Sequence, residues 1–338
     1  MAVTRLSDVI VPEVFTAYML KETTSKADIF KSGIVSMNPD MGALLGGGGT
    51  TFQTPFWTDL SDASGSTTGS DDPAQVITPD KISALKMAFR RQFRTKAWST
   101  ADLVAELAGD DPMSRIVSRV SEWWARDFNR TTISTLNGLI NRNIASEGGD
   151  LVYSAGVGAG GATPTAAISG AAILEAKQTM GDRADGLTMI MMHSRVYTNL
   201  QLQNLIAFIP NSEGKVNIPT YMGYQVLVSD TCPVTLISGV DYSYLSYLCA
   251  PGVLGFAESP PEVPVETFRY PDQGNGAGVE ALFTRRQFAL HPAGYNWKET
   301  TVTGSFPSNA NLELATNWER KFPERKHIPF VAIKSKNG

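Results

Sequence analysis

Cysteine is almost missing from this chain: Cys232 and Cys249 are the only two in 338 residues. A pair cannot build a disulfide framework, and their spacing is not the C-x-x-C of a zinc or redox site, so a reducing, cytoplasmic folding environment is expected. Histidine is equally sparse, and His193, His291 and His327 fall into no H-E-x-x-H or similar ligand spacing. No G-x-S-x-G elbow occurs. The adjacent acids Asp71-Asp72 and Asp110-Asp111 read as a solvated loop and a helix start, not as a general acid and base. No apolar run approaches the ~20 residues that a membrane span requires. The first such run, Val9 to Val11, is broken at once by Pro12 and Glu13, unlike a secretory signal. Positive charge is also lacking: the formal net charge is −4 and the pI about 5.5, which excludes tight attraction of the whole molecule to nucleic acid. No repeat of fixed period is present. The expectation is a protein that is not an enzyme, with no cofactor and no metal.

What is present is a long amphipathic helix. Asp110 or Asp111 caps it, and Pro112 suits the first helical position, where its missing N–H costs nothing. No further Pro or Gly follows until Gly138. Apolar residues from Met113 to Ile140, with Trp123, Trp124 and Phe128 among them, recur at three- and four-residue steps, and Arg115, Arg119, Glu122, Arg126 and Arg130 fill the other positions. The pattern predicts a helix over Asp110 to Asn141, roughly 45 Å long at 1.5 Å per residue, so it lies along something extended.

Before the helix the chain is thin. Pro12 to Glu22 and Lys26 to Ser32 read as short helices whose Phe15, Tyr18 and Met19 need a neighbouring surface. Four glycines, 46–49, release the backbone. Thr50 to Trp57 then reads as an edge strand because of Pro55, and Ala74 to Ile82 and Ser83 to Trp98 as return strands around a polar tip from Asp59 to Gln75. Residues 51–80 hold five aspartates and no base, whereas residues 81–96 hold Lys81, Lys86, Arg90, Arg91, Arg94 and Lys96 and no acid. Such a divided loop can pair with copies of itself; two ordinary solvated strand faces fit the same pattern. Phe15, Tyr18, Phe52, Phe56 and Trp57 thus lie on extensions too thin to bury them, which implies cover from other subunits.

After the helix, Gly156-Val-Gly158-Ala-Gly-Gly161 formally matches a dinucleotide fingerprint. Its preceding apolar stretch is short and the next helix starts only near Pro164, so a flexible loop is expected. Helices are predicted over Thr165–Met180, Arg195–Leu205 and Asn309–Phe322. Strands are predicted over Leu187–Met192, Tyr221–Ser229, Tyr242–Leu248, Val263–Tyr270, Val279–Leu290 and Ile328–Ile333. Fold class is α+β.

This order of parts resembles the major capsid proteins of tailed bacteriophages, the Johnson or Hong Kong-97-like fold. Leu187-Thr-Met-Ile-Met-Met-His193-Ser-Arg-Val-Tyr197 is similar to the strand and helix that enter the family's axial domain, and Tyr221-Met-Gly-Tyr-Gln-Val-Leu-Val-Ser229 to its glycine-marked strand. Val265-Glu-Thr-Phe-Arg269 followed by Ala281 to His291 looks like the long returning hairpin of the peripheral domain. The resemblance implies an N-terminal arm (1–45), an extended β loop (46–98), a peripheral domain with a spine helix (99–186), an axial domain (187–261), long peripheral strands (262–300) and a C-terminal tail (301–338). It implies that Phe15, Tyr18, Phe52, Phe56, Trp57, Lys86, Arg90, Arg91, Arg94, Glu266 and Arg269 contact neighbouring subunits. It also implies hexamers and pentamers on an icosahedral shell around double-stranded DNA, in a virion assembled in the host cytoplasm. A portal, a separate scaffolding protein and a decoration protein are the expected partners, and no membrane is. An encapsulin-like compartment and, more distantly, a nucleotide-binding enzyme are the alternatives.

Overall fold

The computed structural model describes residues 29, 32–57, 66–77, 79, 82–108, 112–203, 207–210 and 217–337. In chain order the elements are β1 (Val35–Met37), α1 (Pro39–Leu45), β2 (Thr51–Trp57), β3 (Ala84–Arg90), β4 (Gln92–Ala101), α2 (Asp102–Ala108), α3 (Pro112–Ser146), β5 (Val152–Ser154), β6 (Gly158–Ala159) and α4 (Gly170–Gln178). They continue with β7 (Met189–Met192), α5 (Ser194–Leu202), β8 (Ala207–Pro210), β9 (Asn217–Tyr221), β10 (Tyr224–Val228), β11 (Val234–Ser238), β12 (Asp241–Cys249) and β13 (Leu254–Glu258). The last are β14 (Val265–Tyr270), β15 (Val279–Pro292), β16 (Tyr295–Trp297), α6 (Asn309–Glu313), β17 (Trp318–Arg320) and β18 (Phe330–Lys336).

The spine helix α3 joins two sheets. Its first half lies on a five-stranded sheet centred on β15, which pairs β4 on one flank and β14 and β13 on the other, with β1 parallel to β13. Aromatic residues make that seam. The Phe128 ring meets Phe288 at 4.8 Å and Phe256 at 5.8 Å, and Trp124 Nε1 donates to Thr284 Oγ1 at 3.1 Å, so the one polar atom of the buried indole is satisfied.

The second half of α3 buries Ile133, Leu136, Leu139 and Ile140 in the main core, built around a nine-stranded sheet of order β6-β5-β18-β12-β7-β10-β9-β8 with β11 also on β12. All four residues of β7 are buried, as expected of a strand covered on both faces, and β7 pairs β10 in parallel. Helices start where side chains cap them: Asn38 Oδ1 accepts from Met41 N, Ser169 Oγ from Ala172 N, and His193 Nδ1 from Arg195 N.

The helix runs five residues past Asn141, to Ser146, through Gly138. That glycine has a packing reason, since a Cβ there would sit 1.9 Å from the Leu312 carbonyl oxygen. The expected helix over Asn309–Phe322 is corrected to the short α6, a single 3₁₀ turn and strand β17. Trp318 sets this: it pairs with Trp297 across β16–β17 and donates Nε1–H to Leu312 O at 2.7 Å, which requires extended backbone. Strand β4 runs on through Ser99 to Ala101, past the expected end at Trp98, and α4 begins at Gly170, five residues later than expected. Tyr221–Ser229 is a hairpin, β9 to β10, because Met222 and Gly223 turn with positive φ. Among the described residues of 74–82 none is in a strand. The expected arm helices, Phe15, Tyr18 and the Asp110/Asp111 cap lie outside the described residues.

Candidate functional site: subunit-contact surfaces

The loop expected to reach a neighbour is a two-stranded hairpin, β2 paired with β3 from Thr51↔Arg90 to Trp57↔Ala84. Its root is built into its own chain. Phe52 and Phe89 stack at 5.4 Å and share a small core with Met41, Leu45, Ala257 and Ala289. Arg91 places its guanidinium 5.2 Å from the Phe52 ring centre and donates Nη2–H to the carbonyls of Leu45, at 2.7 Å, and Gly47, at 2.6 Å. It thereby ties the end of α1 and the glycine run to β3. Arg90 is buried, donating to Thr51 Oγ1 and Ser305 O and pairing with Glu299 at 2.8 Å. Arg94 donates to Asn309 Oδ1 at 2.8 Å and faces Asp127; burial lowers the guanidinium and raises the carboxyl from their ordinary values, and their mutual attraction offsets part of both.

The expectation that Phe52 lacks cover, and that Arg90, Arg91 and Arg94 form a free basic limb, is therefore corrected. The hairpin root rests on the five-stranded sheet and on β16, where Ala88 N donates to Asn296 Oδ1, so the ring is covered and each guanidinium finds acceptors for its Nη atoms within one chain, while the buried Nε of each meets no hydrogen-bonding group among the described residues. Phe56 is half-buried, with its ring 5.4 Å from Phe322. Trp57 and Lys86 remain exposed, Trp57 at 69%, and Val76 and Ile77 near the tip are exposed at 85% and 69%. Glu266 pairs with Arg285 and Arg269 with Asp102, both at the surface of the same chain.

Two exposed apolar surfaces escaped the sequence reading. The β11–β12 hairpin shows Val234, Leu236, Val240 and Tyr242, and α2 shows Leu103 and Leu107 one turn apart. The alternating Val234-Thr-Leu-Ile-Ser238 was the available signal for β11. Strand β14 was expected, but every residue from Val265 to Arg269 is exposed, which its composition does not announce.

Where ionisable groups do cluster, they close the fold. At the end of α3, Asn143 Nδ2 donates to Asp150 and Glu147, Tyr295 OH donates to Glu147 Oε2 at 2.8 Å, and Arg320 pairs with Asp150 at 2.8 Å. Arg325 donates to the carbonyls of Asp150, Ile328 and Phe330, and burial pushes its guanidinium down to about 10. Every strong donor there already has an acceptor, so the cluster locks strands rather than offering a proton. Cys232 and Cys249 are buried free thiols, and burial pushes Cys249 up to about 12. The glycines at 156–161 run from the β5–β6 turn through β6 to the residues just after it, and the next helix starts only at Gly170 with Ser169 over its N-terminus. Among the described residues no three His, Cys, Asp or Glu side chains converge as a metal site would need, and no described helix is long and apolar enough to cross a membrane.

Three solved structures share the fold. The cyanophage Pam1 capsid unit aligns with a TM-score of 0.53 at 10% identity over 88% of this chain and 87% of that one. The capsid of Ralstonia phage GP4 gives 0.54 at 8% identity over 86% and 85%, and Microbacterium phage Oxtober96 gives 0.52 at 11% identity over 98% and 95%. In sequence, the chain is 35% identical over 336 residues to the Major capsid protein of Bacillus phage SPP1, covering 96% of each. Residues 111–331, from the spine helix through the nine-stranded sheet, match the family described as Major capsid protein 13-like. The chain belongs to that family: it is a structural, non-enzymatic capsid protein with the tailed-phage capsid fold.

Proposed function

We propose that this chain builds a closed icosahedral shell of hexamers and pentamers around double-stranded DNA, each copy laying its β2–β3 hairpin over the next. The nine-stranded sheet is the axial domain, and the five-stranded sheet with the first half of α3 is the peripheral domain. On this reading β5, β6 and β18 go with the axial part and β1 and β13 with the peripheral part, because they pair into those sheets. The observation that carries the reading is the contrast within the hairpin: its root is packed, whereas Trp57, Val76 and Ile77 stand in solvent at the far end. Exposed apolar groups on a projecting hairpin invite a partner, and a contact between unlike patches propagates into rings and shells. Trp57, Lys86, Glu266 and Arg269 remain the proposed contacts on the described residues, with Phe15 and Tyr18 of the arm beside them. Assembly takes place in the host cytoplasm with a separate scaffolding protein and a portal, and decoration proteins bind the finished shell.

The test is expression with the neighbouring genes, followed by electron microscopy. Wild type yields closed particles, whereas Trp57→Glu yields soluble subunits with an unchanged melting temperature and no particles. Normal particles from that variant would remove the hairpin tip from the contact.

A further inference from the structure

The outer flank of the spine helix carries arginine and no lysine. Arg115, Arg119, Arg126 and Arg130 fall within roughly 80° of arc, at 100° per residue, and extend along about 22 Å of helix axis. Glu122 is the one acid in that arc. Arg115 and Arg130 are exposed and Arg119 and Arg126 half-buried. The opposite side of the same helix segment packs on the five-stranded sheet through Trp124 and Phe128, so the stripe cannot turn inward. Lys96 of β4 extends it, with Nζ 5.6 Å from the Trp123 ring centre. At its rim the half-buried Asp127 faces Arg94, Arg130 and Lys96, three cations against one carboxylate.

This concentration of positive charge stands out in a chain whose formal net charge is −4. The guanidinium is a planar fork that matches two phosphate oxygens and remains charged at any physiological pH, and four of them in a row on a rigid helix suit a linear polyanion. We propose that this arginine stripe is the subunit's surface for double-stranded DNA, gripping backbone phosphates without reading sequence. The inference rests on the shell-forming reading, because one subunit's four contacts are weak and only many copies around one duplex hold it firmly. It also accounts for how an acidic protein lines a container for DNA: the attraction is local and the rest of the surface repels.

The experiment measures binding of the purified full-length chain to short labelled duplexes of two unrelated sequences across a salt series, beside a poly-glutamate competitor. The wild type binds both duplexes equally and loses about a hundredfold in affinity between 50 and 200 mM salt, as some four phosphate contacts require. Replacing Arg126 and Arg130 by Gln reduces that loss to about tenfold, with the thermal melt unchanged. Arg126→Lys with Arg130→Lys keeps the steep salt dependence and weakens binding at every salt concentration. An identical salt dependence in the Gln variant, or preference for poly-glutamate over DNA, overturns the proposal, the latter in favour of an acidic protein partner. Electron microscopy of the same variants reports on shell formation separately, so loss of DNA binding with intact particles is distinct from failure of the shell reading.

Discussion

Gly138 shows how one missing side chain decides a helix crossing. In an ordinary exposed helix, Gly→Ala gains about 1 kcal/mol. Here the sign reverses, because the new Cβ would meet a backbone carbonyl that is itself held by Trp318. Gly138→Ala is expected to cost about 3 kcal/mol, as overpacking against a main-chain atom does, and a urea midpoint measures it. His291 is a second residue with a readable consequence. Although the residue is only half-buried, its Nε2 is shut off from solvent and meets no hydrogen-bonding group among the described residues. Burial holds its pKa at about 4, below the ordinary 6.5. The unfolded chain therefore takes up a proton as pH falls through 6.5 while the folded chain refuses it until about 4, so stability falls across that window and not above it. The loss should reach about 3 kcal/mol, from the shift at about 1.4 kcal/mol per unit. In His291→Leu, denaturation midpoints between pH 7 and pH 4 should fall less steeply than in the wild type; parallel curves would show that the imidazole titrates normally.

Among elements, the hairpin divides into a fixed base and a free end, and Arg91 is the fastening. Arg91→Ala removes two charge-assisted hydrogen bonds and the cover over Phe52, at a cost on the order of 2 kcal/mol. Hydrogen exchange should then quicken in Thr51–Trp57 and Ala84–Arg90 while β7 and β12 keep their protection. The hairpin's existence was legible from Pro55, the β-branched residues and the polar tip, and α3 from its three- and four-residue apolar rhythm. The inward turn of Arg90, Arg91 and Arg94 was not, because a basic run reads the same whether it faces water or the carbonyls of a distant segment such as Leu45 and Ser305. The end of α3 was misplaced for the same reason: Gly138 looks like a stop until Leu312 is known to lie against it. Likewise Trp318 reads as a helical residue until Trp297 is beside it.

For the molecule as a whole, α+β class and the succession of hairpin, spine and sheets followed from chain order. The sheet memberships did not, since parallel pairs such as β18–β5 and β1–β13 join residues far apart in sequence, where local pattern carries no signal. Strand β18 fills the middle of the nine-stranded sheet between β5 and β12, with Phe330 to Ile333 fully buried. Removing residues 330–338 should thus abolish the cooperative thermal transition and not merely assembly. Removing residues 1–28 should leave that transition in place and impair particle formation. The cut cannot extend further, because Ile29 is 1% exposed within the main core. Circular dichroism melts of the two truncations separate these outcomes.

The position of β18 also sets the timing of synthesis. Its neighbours β5 and β12 emerge from the ribosome long before it, and their sheet stays split until residues 330–336 follow. The nine-stranded sheet therefore closes only when translation has delivered that strand, however early its other members appear.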